Sequence, residues 1–342
     1  MKILQFNWAA MDVKAGTKYV IGVAVVIAFS LVIEFSWFAV GCSAVLAWLT
    51  NIPGPRRQRL TGVALFIGIG AILVGLVYFL SGTYWPWLVS MVVIAFIGTF
   101  AMIEGLRGFM VGWCLICWFY VLPLLGTGEM PLEILSAHLL GGLVVFILVA
   151  IPLGEKIAPK DHDKAPESSD KPSVPFVASY AATVAIVMTI GVALGDLWLK
   201  SDPTLILQAS LMIILPSVAA TWIVAVDRMI GLIAGVVIGF YLGQFAGGGL
   251  TLEIIVWLVA SFLLVTLMYV NAAPMVFFFV LPFSLVWGTL EGEAGHAMAN
   301  ERIIAELVGV VLAGVAVSMR STLARMFAKP PRETASDSGA QG

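Results

Sequence analysis

The sequence predicts an all-α, polytopic transmembrane helical bundle of about twelve helices, arranged as two parallel six-helix repeats. Three observations predict this fold class: the composition, the spacing of the apolar runs, and a motif order that recurs in both halves. The 342 residues are 61% hydrophobic and only 11% charged, and the mean hydropathy is +1.05. A water-soluble domain of this length needs more charge to cover its surface, so lipid must be part of the solvent.

Twelve apolar runs follow one another along the chain, and each is predicted to cross a hydrocarbon core of roughly 30 Å as a helix. The runs lie at about 18–33, 36–50, 60–81, 86–103, 108–125, 132–153, 176–199, 204–222, 229–246, 252–270, 272–290 and 302–320. The first two runs are short and meet near Glu34, so they form either two helices or one long kinked helix. The runs define a first membrane repeat over residues 1–153 and a second over residues 176–327.

Two polar segments separate and follow these repeats. Residues 154–175 are rich in charge, Pro and Ser, which predicts a flexible cytoplasmic linker, and residues 328–342 predict a disordered cytoplasmic tail. If the N-terminus is cytoplasmic, 16 of the 18 Lys and Arg residues fall on the cytoplasmic side, and only Lys200 and Arg302 fall outside. The positive-inside rule therefore places both termini in the cytoplasm.

An internal repeat is indicated by motifs that occur in the same order in both halves. The matched segments are 59–62 with 228–231, 87–90 with 257–260, 121–123 with 280–282, and 133–141 with 301–309. Each half has an even number of predicted spans, so both halves enter the membrane from the same side. The repeat is therefore parallel, about an axis along the membrane normal, and it leaves a cleft between the halves.

Several classes of function are not expected. No basic patch is present, so nucleic acid is not an expected partner. The sequence has no phosphate-binding loop and no HExxH zinc motif, and its three histidines are scattered, so we expect no enzymatic activity, cofactor or metal. Cys114 and Cys117 have the spacing of some metal and redox sites, but they lie in an apolar run, and we interpret them as core residues.

The second half carries a resemblance to a known family. Arg228 and Gly231 open a helix with glycine at every fourth position, and the closing helix contains Arg302, Glu306 and Gly309. This pattern resembles the fusaric acid resistance family of aromatic acid exporter-like inner membrane proteins, best over 176–320 and more loosely over 18–153. The resemblance implies export of small, often aromatic, carboxylic acids across the bacterial inner membrane, with a periplasmic adaptor protein in some relatives. This sequence differs from larger members of the family in one respect, since it shows no sizeable soluble domain.

Four residues are predicted to bind substrate: Arg59, Arg228, Asp227 and Gln244. The two arginines occupy equivalent cytoplasmic mouths of helices, where a guanidinium suits a carboxylate. The alternative is that both arginines anchor the topology by snorkelling, with Asp227 neutralising Arg228. Gln244 either lines a polar path or forms hydrogen bonds between helices.

Two further residues, His138 and Glu306, are predicted to couple transport to protons. They are equivalent in the repeat, each about one turn into a closing helix, and both side-chain types exchange protons. The alternatives are an ion pair between Glu306 and Arg302 one turn apart, and a His138 that is simply hydrogen-bonded in the bundle.

Three hypotheses of function follow from these observations. The first is a secondary exporter of small organic or aromatic acids, coupled to protons. The second is a passive organic-anion channel, and the third is a membrane scaffold or assembly subunit without transport. The partners expected are a small organic anion, the lipid bilayer, a periplasmic adaptor protein and a second copy of the chain.

Overall fold

The computed structural model describes residues 11–80, 83–125, 131–151, 172–195, 250–268 and 292–327, together with seven positions between 226 and 241. Within these ranges all regular structure is helical, and it comprises nine long helices and two short 3-10 helices. The nine are α1 Val13–Val32, α2 Trp37–Leu49, α3 Arg56–Leu80, α4 Tyr84–Phe100, α5 Leu106–Val121, α6 Pro131–Ala150, α7 Val174–Leu194, α8 Leu250–Leu267 and α9 Gly292–Phe327. The 3-10 helices, Ala101–Glu104 and Leu122–Leu125, extend α4 and α5.

Six helices in the described part of the chain are long and apolar enough to cross a membrane, and they lie in α1, α3, α4, α6, α7 and α9. At most half of each crossing segment is buried inside the protein, so much apolar surface faces outward, as lipid requires. The chain is thus a helical, multi-pass membrane protein. The count of twelve spans stays a prediction, because the runs at 204–222 and 272–290, and most of 229–246, lie outside the described residues.

The first two apolar runs form two separate helices. α1 ends at Val32, and Glu34 then adopts a φ of 60°, which interrupts the regular helical hydrogen bonds. α2 begins at Trp37, and the Ser36 hydroxyl accepts a hydrogen bond from the backbone N–H of Ala39 at 3.3 Å. This side-chain cap starts a new helix after the break. The alternative of one long kinked helix is therefore excluded.

α2 is a short helix at the centre of the first half. It packs against α1, α5 and α6, and its residues 39–49 are all buried. Its 13 residues extend over about 20 Å, less than the roughly 30 Å of a hydrocarbon core. The apolar run at 36–50 is therefore a core helix, and it is surrounded by other helices more than by lipid.

The helices of the first half alternate in direction. Near the start of α1, the Lys18 ammonium donates to the backbone oxygen of Ile151, just beyond the end of α6, at 2.8 Å. At the start of α3, the Arg59 side chain donates to Asn51, just beyond the end of α2. Helix starts and helix ends therefore meet at one end of the bundle. We call this end, which carries Lys18, Arg56, Arg59 and Arg107, the basic end.

The two halves pack against each other reciprocally. In the described part of the chain, α4 of the first half packs against α7, the opening helix of the second. In turn α8, which contains the predicted counterpart of the motif in α4, packs against α1, the opening helix of the first half. α7 also packs against α9, as α1 packs against α6. A two-fold relation between the halves would produce such an exchange of contacts, and the repeat itself stays a prediction because much of the second half lies outside the described residues.

The closing helices α6 and α9 also bury the same positions. Ala137 and Ala305, 168 residues apart, are both fully buried. Leu139 and Leu307 are 41% and 47% exposed. In both closing helices, therefore, the equivalent alanine lies on the face that packs inward and the equivalent leucine lies on the face that points outward.

α9 is longer than the sequence predicts. The apolar run covers 302–320, but the helix begins at Gly292, ends at Phe327 and has 36 residues, or about 54 Å. The flanking residues are less apolar than the run but include strong helix formers such as Ala, Glu and Met, so helix propensity continues the helix where hydropathy falls.

Candidate functional site

Arg59 is held inward at the basic end. Its helix, α3, follows a Pro-Gly-Pro turn, and the backbone oxygen of Pro55 accepts hydrogen bonds from the N–H groups of Gln58 and Arg59. This turn places Arg59 on the inner face, where it is only 9% exposed. Its Nε donates to the Asn51 side-chain oxygen at 2.7 Å. Arg59 is therefore nearly buried, and the Asn51 amide is one of the groups that position it.

Two further arginines of the basic end donate to neutral oxygen atoms. Arg107, at the start of α5, donates to the Gln58 side-chain oxygen at 2.5 Å. Arg56 donates to the backbone oxygen of Ala150, at the end of α6. Neutral acceptors leave the charge of these groups in place, so the basic end attracts anions.

His138 lies deeper, in the middle of the first half, and is fully buried. Its ring stacks on Trp118, with centroids 4.7 Å apart, and Phe66 approaches edge-on at 5.3 Å. Nε2 lies 3.1 Å from the backbone oxygen of Ile67, and Nδ1 lies 3.0 Å from the Ser43 hydroxyl. Both ring nitrogens therefore have partners inside the protein.

These bonds fix the position of the ring between α2 and α3. The Ile67 carbonyl can only accept a hydrogen bond, so a proton on Nε2 has an acceptor there. The Ser43 hydroxyl donates its single proton to the His138 backbone oxygen at 2.9 Å, and its oxygen lies 3.0 Å from Nδ1. The geometry matches the alternative in which His138 is hydrogen-bonded within the bundle, and its role in proton coupling stays a prediction.

The structure does not bring Arg59 and His138 together. The ring contacts of His138 on α3 are Phe66 and Ile67. Those residues are about two turns, or roughly 10 Å, along α3 from Arg59. The two residues thus lie at different depths, Arg59 at the basic end and His138 in the interior.

The structure describes only part of the other predicted site residues. Asp227, Arg228 and Gln244 lie outside the described residues. Glu306 lies in the described helix α9, 168 positions after His138, although its side chain is outside the described part. Cys114 and Cys117 are buried in α5, as core residues should be.

Sequence reasoning missed the side chains that hold these groups. Ser43 and Asn51 are both buried, and they fix His138 and Arg59 respectively. Asn51 lies two residues before Pro53 in a break between apolar runs, and Ser43 lies in the small-residue stretch Gly41–Cys42–Ser43–Ala44. Small residues allow close helix approach in lipid, and that stretch was the available signal for a helix contact at Ser43.

The helices define a class: a multi-pass helical membrane protein. A family model described as fusaric acid resistance protein-like matches residues 182–316. The resemblance to the fusaric acid resistance family, predicted from the sequence, is therefore confirmed over most of the second half. No curated protein and no solved structure matched the chain.

Proposed function

We propose that this protein is a secondary exporter of small organic or aromatic carboxylic acids in a bacterial inner membrane. The family match supports membrane transport, and resistance to an aromatic acid is the effect that export of such an acid would have. The observation that carries the choice of an anionic substrate is Arg59, a nearly buried guanidinium at the basic end of the bundle.

The mechanism we propose depends on two six-helix repeats that rock against each other. The reciprocal packing of α4 on α7 and of α8 on α1 supports this arrangement. So does the matched burial of α6 and α9. In parallel repeats of this kind, substrate enters from alternate sides at the contact between the halves. The basic end would then be the cytoplasmic mouth, with both termini in the cytoplasm.

Arg59 would receive the carboxylate at this mouth, and Arg228 with Asp227 and Gln244 would form the equivalent contact in the second half. A guanidinium binds a carboxylate through two parallel hydrogen bonds. Binding at Arg59 would replace or extend its present hydrogen bond to Asn51. Proton coupling would use Glu306 or His138, and the two hydrogen bonds of the His138 ring favour Glu306.

The test is transport in proteoliposomes, with radiolabelled benzoate as the first probe and a panel of aromatic acids after it. Arg59→Gln should lower the rate about tenfold, since a charge-assisted bidentate bond contributes more than 1.4 kcal/mol. Arg57→Gln is the matched control, because Arg57 is exposed on the same first turns of α3. Equal effects of the two substitutions would show that general surface charge, not a binding residue, is responsible.

The same vesicles separate the remaining alternatives. Flux of the acid that follows an imposed pH gradient supports the exporter, and Glu306→Gln should abolish that dependence. Currents that follow voltage and ignore the pH gradient would identify a passive anion channel. Absence of any flux across the whole panel would leave the scaffold hypothesis, together with a periplasmic adaptor or a second copy as partner.

A further inference from the structure

Two cations from different helices meet at the end of α6. The Lys18 ammonium of α1 donates to the backbone oxygen of Ile151 at 2.8 Å. The Arg56 side chain of α3 donates to the backbone oxygen of Ala150. The two acceptors belong to consecutive residues, so both cations approach the same helix end. We call Lys18 and Arg56 the α6 cation pair.

The α6 cation pair lies at the depth of lipid head groups. α6 is one of the helices that are long and apolar enough to cross the membrane. Its 20 residues, from Pro131 to Ala150, extend over about 30 Å, which matches the thickness of the hydrocarbon core. Its last residues therefore lie at the boundary between hydrocarbon and head groups. This is the depth at which a phospholipid carries its phosphate.

The charge of the pair exceeds the charge of the helix end that it caps. The carbonyl groups at the C-terminus of a helix carry roughly half a negative elementary charge, whereas Lys18 and Arg56 are full cations. Net positive charge therefore remains at the end of α6. Arg56 is also exposed, and its guanidinium has more N–H donors than one backbone oxygen can use. It can therefore donate to a phosphate oxygen and to Ala150 at the same time.

An apolar stripe on the surface of α6 leads to this pair. Every fourth residue is an exposed aliphatic side chain, with 41% for Leu139, 51% for Leu143, 47% for Ile147 and 44% for Ile151. Side chains four residues apart lie on one face of a helix, so the stripe extends for about 18 Å. The stripe offers an acyl chain an apolar contact that ends where the cations begin.

We propose that the end of α6 is a binding site for one anionic phospholipid. Lys18 and Arg56 bind its phosphate, and one acyl chain lies along the stripe from Ile151 to Leu139. Basic sites between membrane helices suit such head groups because they combine positive charge with adjacent apolar surface. A lipid bound here contacts α1, α3 and α6 together. The site is independent of the proposed export, since it uses neither Arg59 nor a transported acid.

A simple helix cap and a lipid site predict different effects for the loss of Arg56. If the pair only caps α6, Arg56→Gln lowers stability to the same extent in any lipid and does not change lipid preference. If the pair binds a lipid, the same change weakens binding of anionic lipid selectively. Arg57→Gln is the matched control, because it removes the same charge from the next position of α3, where the side chain is exposed. Lys18→Gln, on a different helix, should reproduce the selective loss.

The experiment measures lipid binding to the full-length protein in detergent by native mass spectrometry. Phosphatidylglycerol is the anionic probe, phosphatidylcholine with the same acyl chains is the neutral probe, and glycerol 3-phosphate is a head group without chains. We expect phosphatidylglycerol to bind more tightly than phosphatidylcholine. Arg56→Gln should lower the affinity for phosphatidylglycerol about fivefold, which is the contribution of one cation near a lipid surface. Arg57→Gln and Arg56→Lys should leave it nearly unchanged, and phosphatidylcholine binding to Arg56→Gln should match the unsubstituted protein.

Three results would overturn the site. Equal losses in Arg56→Gln and Arg57→Gln would show that general surface charge attracts the lipid. Equal affinity for the two lipids would show that the charge of the head group is not recognised. Displacement of phosphatidylglycerol by an equal concentration of glycerol 3-phosphate would identify a site for a free phosphate. None of these results bears on export, which the proteoliposome assay tests separately.

Discussion

Substitution of Gly70 by alanine tests whether the His138 ring is fixed in place. A Cβ on Gly70 would lie 2.5 Å from Cε1 and Nε2 of His138, and 3.4 Å from the Trp118 ring. Contacts between carbon atoms are favourable near 3.5–4.0 Å, so the imidazole would have to recede by about 1 Å. It cannot do so without loss of its hydrogen bond to the Ile67 backbone oxygen or of its stacking on Trp118.

The expected loss of stability can be estimated from the overpacking that the new Cβ causes. Overpacking of a core costs about 1–3 kcal/mol, and the change from Gly to Ala in a helix returns roughly 0.5–1 kcal/mol. We therefore expect Gly70→Ala to lower the free energy of unfolding by about 1–2 kcal/mol. Gly68→Ala is the control on the same helix, since a Cβ there meets nothing within 4 Å. That variant should be unchanged or slightly more stable.

A double-mutant cycle makes the test specific to the ring. His138→Ala alone should cost about 2–5 kcal/mol, as other truncations of large core side chains do. In that background the space is free, so Gly70→Ala should cost nothing or restore stability by filling part of the cavity. The measurement is unfolding by SDS in mixed micelles, monitored by tryptophan fluorescence. If Gly70→Ala is as stable as Gly68→Ala, or costs as much without the ring as with it, the ring is not rigidly held.

Two other substitutions test how the helices pack. Gly112→Ala should lower the free energy of unfolding by about 1–3 kcal/mol, because its Cβ would lie 2.7 Å from the carbonyl carbon of Gly98 where α4 and α5 cross. Gly75→Ala is the control and should not lower it, because a Cβ there meets nothing within 4 Å. Equal unfolding midpoints of the two variants would contradict that crossing. Arg320 of α9 lies 4.7 Å from the Phe176 ring of α7, and a cycle of Arg320→Gln and Phe176→Leu should give a coupling of about 0.5–1 kcal/mol. A coupling of zero would mean that the guanidinium does not contribute to the contact between α7 and α9.

Hydropathy predicted the helices of the first half well. The run at 60–81 became Arg56–Leu80, and the run at 132–153 became Pro131–Ala150. In these segments the same apolar residues both face lipid and form the helix, so the limits of the run are the limits of the helix within a few residues. α9 departs from this rule because strong helix formers in less apolar segments extend it on both sides.

Hydropathy could not predict which helices are surrounded by protein. α2 and α3 look alike by composition, yet residues 39–49 of α2 are all buried, while Leu65 and Ile72 of α3 are exposed. Lipid and protein interiors are both apolar, so the sequence does not distinguish them. Arg59 and His138 could be selected as candidate site residues because an ionisable side chain stands out in an apolar run. Ser43 and Asn51, which hydrogen-bond to them, could not be selected, because their roles depend on contacts between segments distant in sequence.

The reciprocal packing of the halves has a consequence for biosynthesis. α1 ends at Val32, and its partner α8 begins at Leu250, 218 residues later. At a translation rate of about 5–20 residues per second, α1 therefore exists for roughly 10–45 seconds before α8 has been made. During this interval the surface of α1 around Gly16, which packs against Phe262 and Thr266 in the finished protein, is not yet covered by its partner helix. Substitutions on this surface will therefore affect the yield of inserted protein even where they leave the finished fold as stable as before.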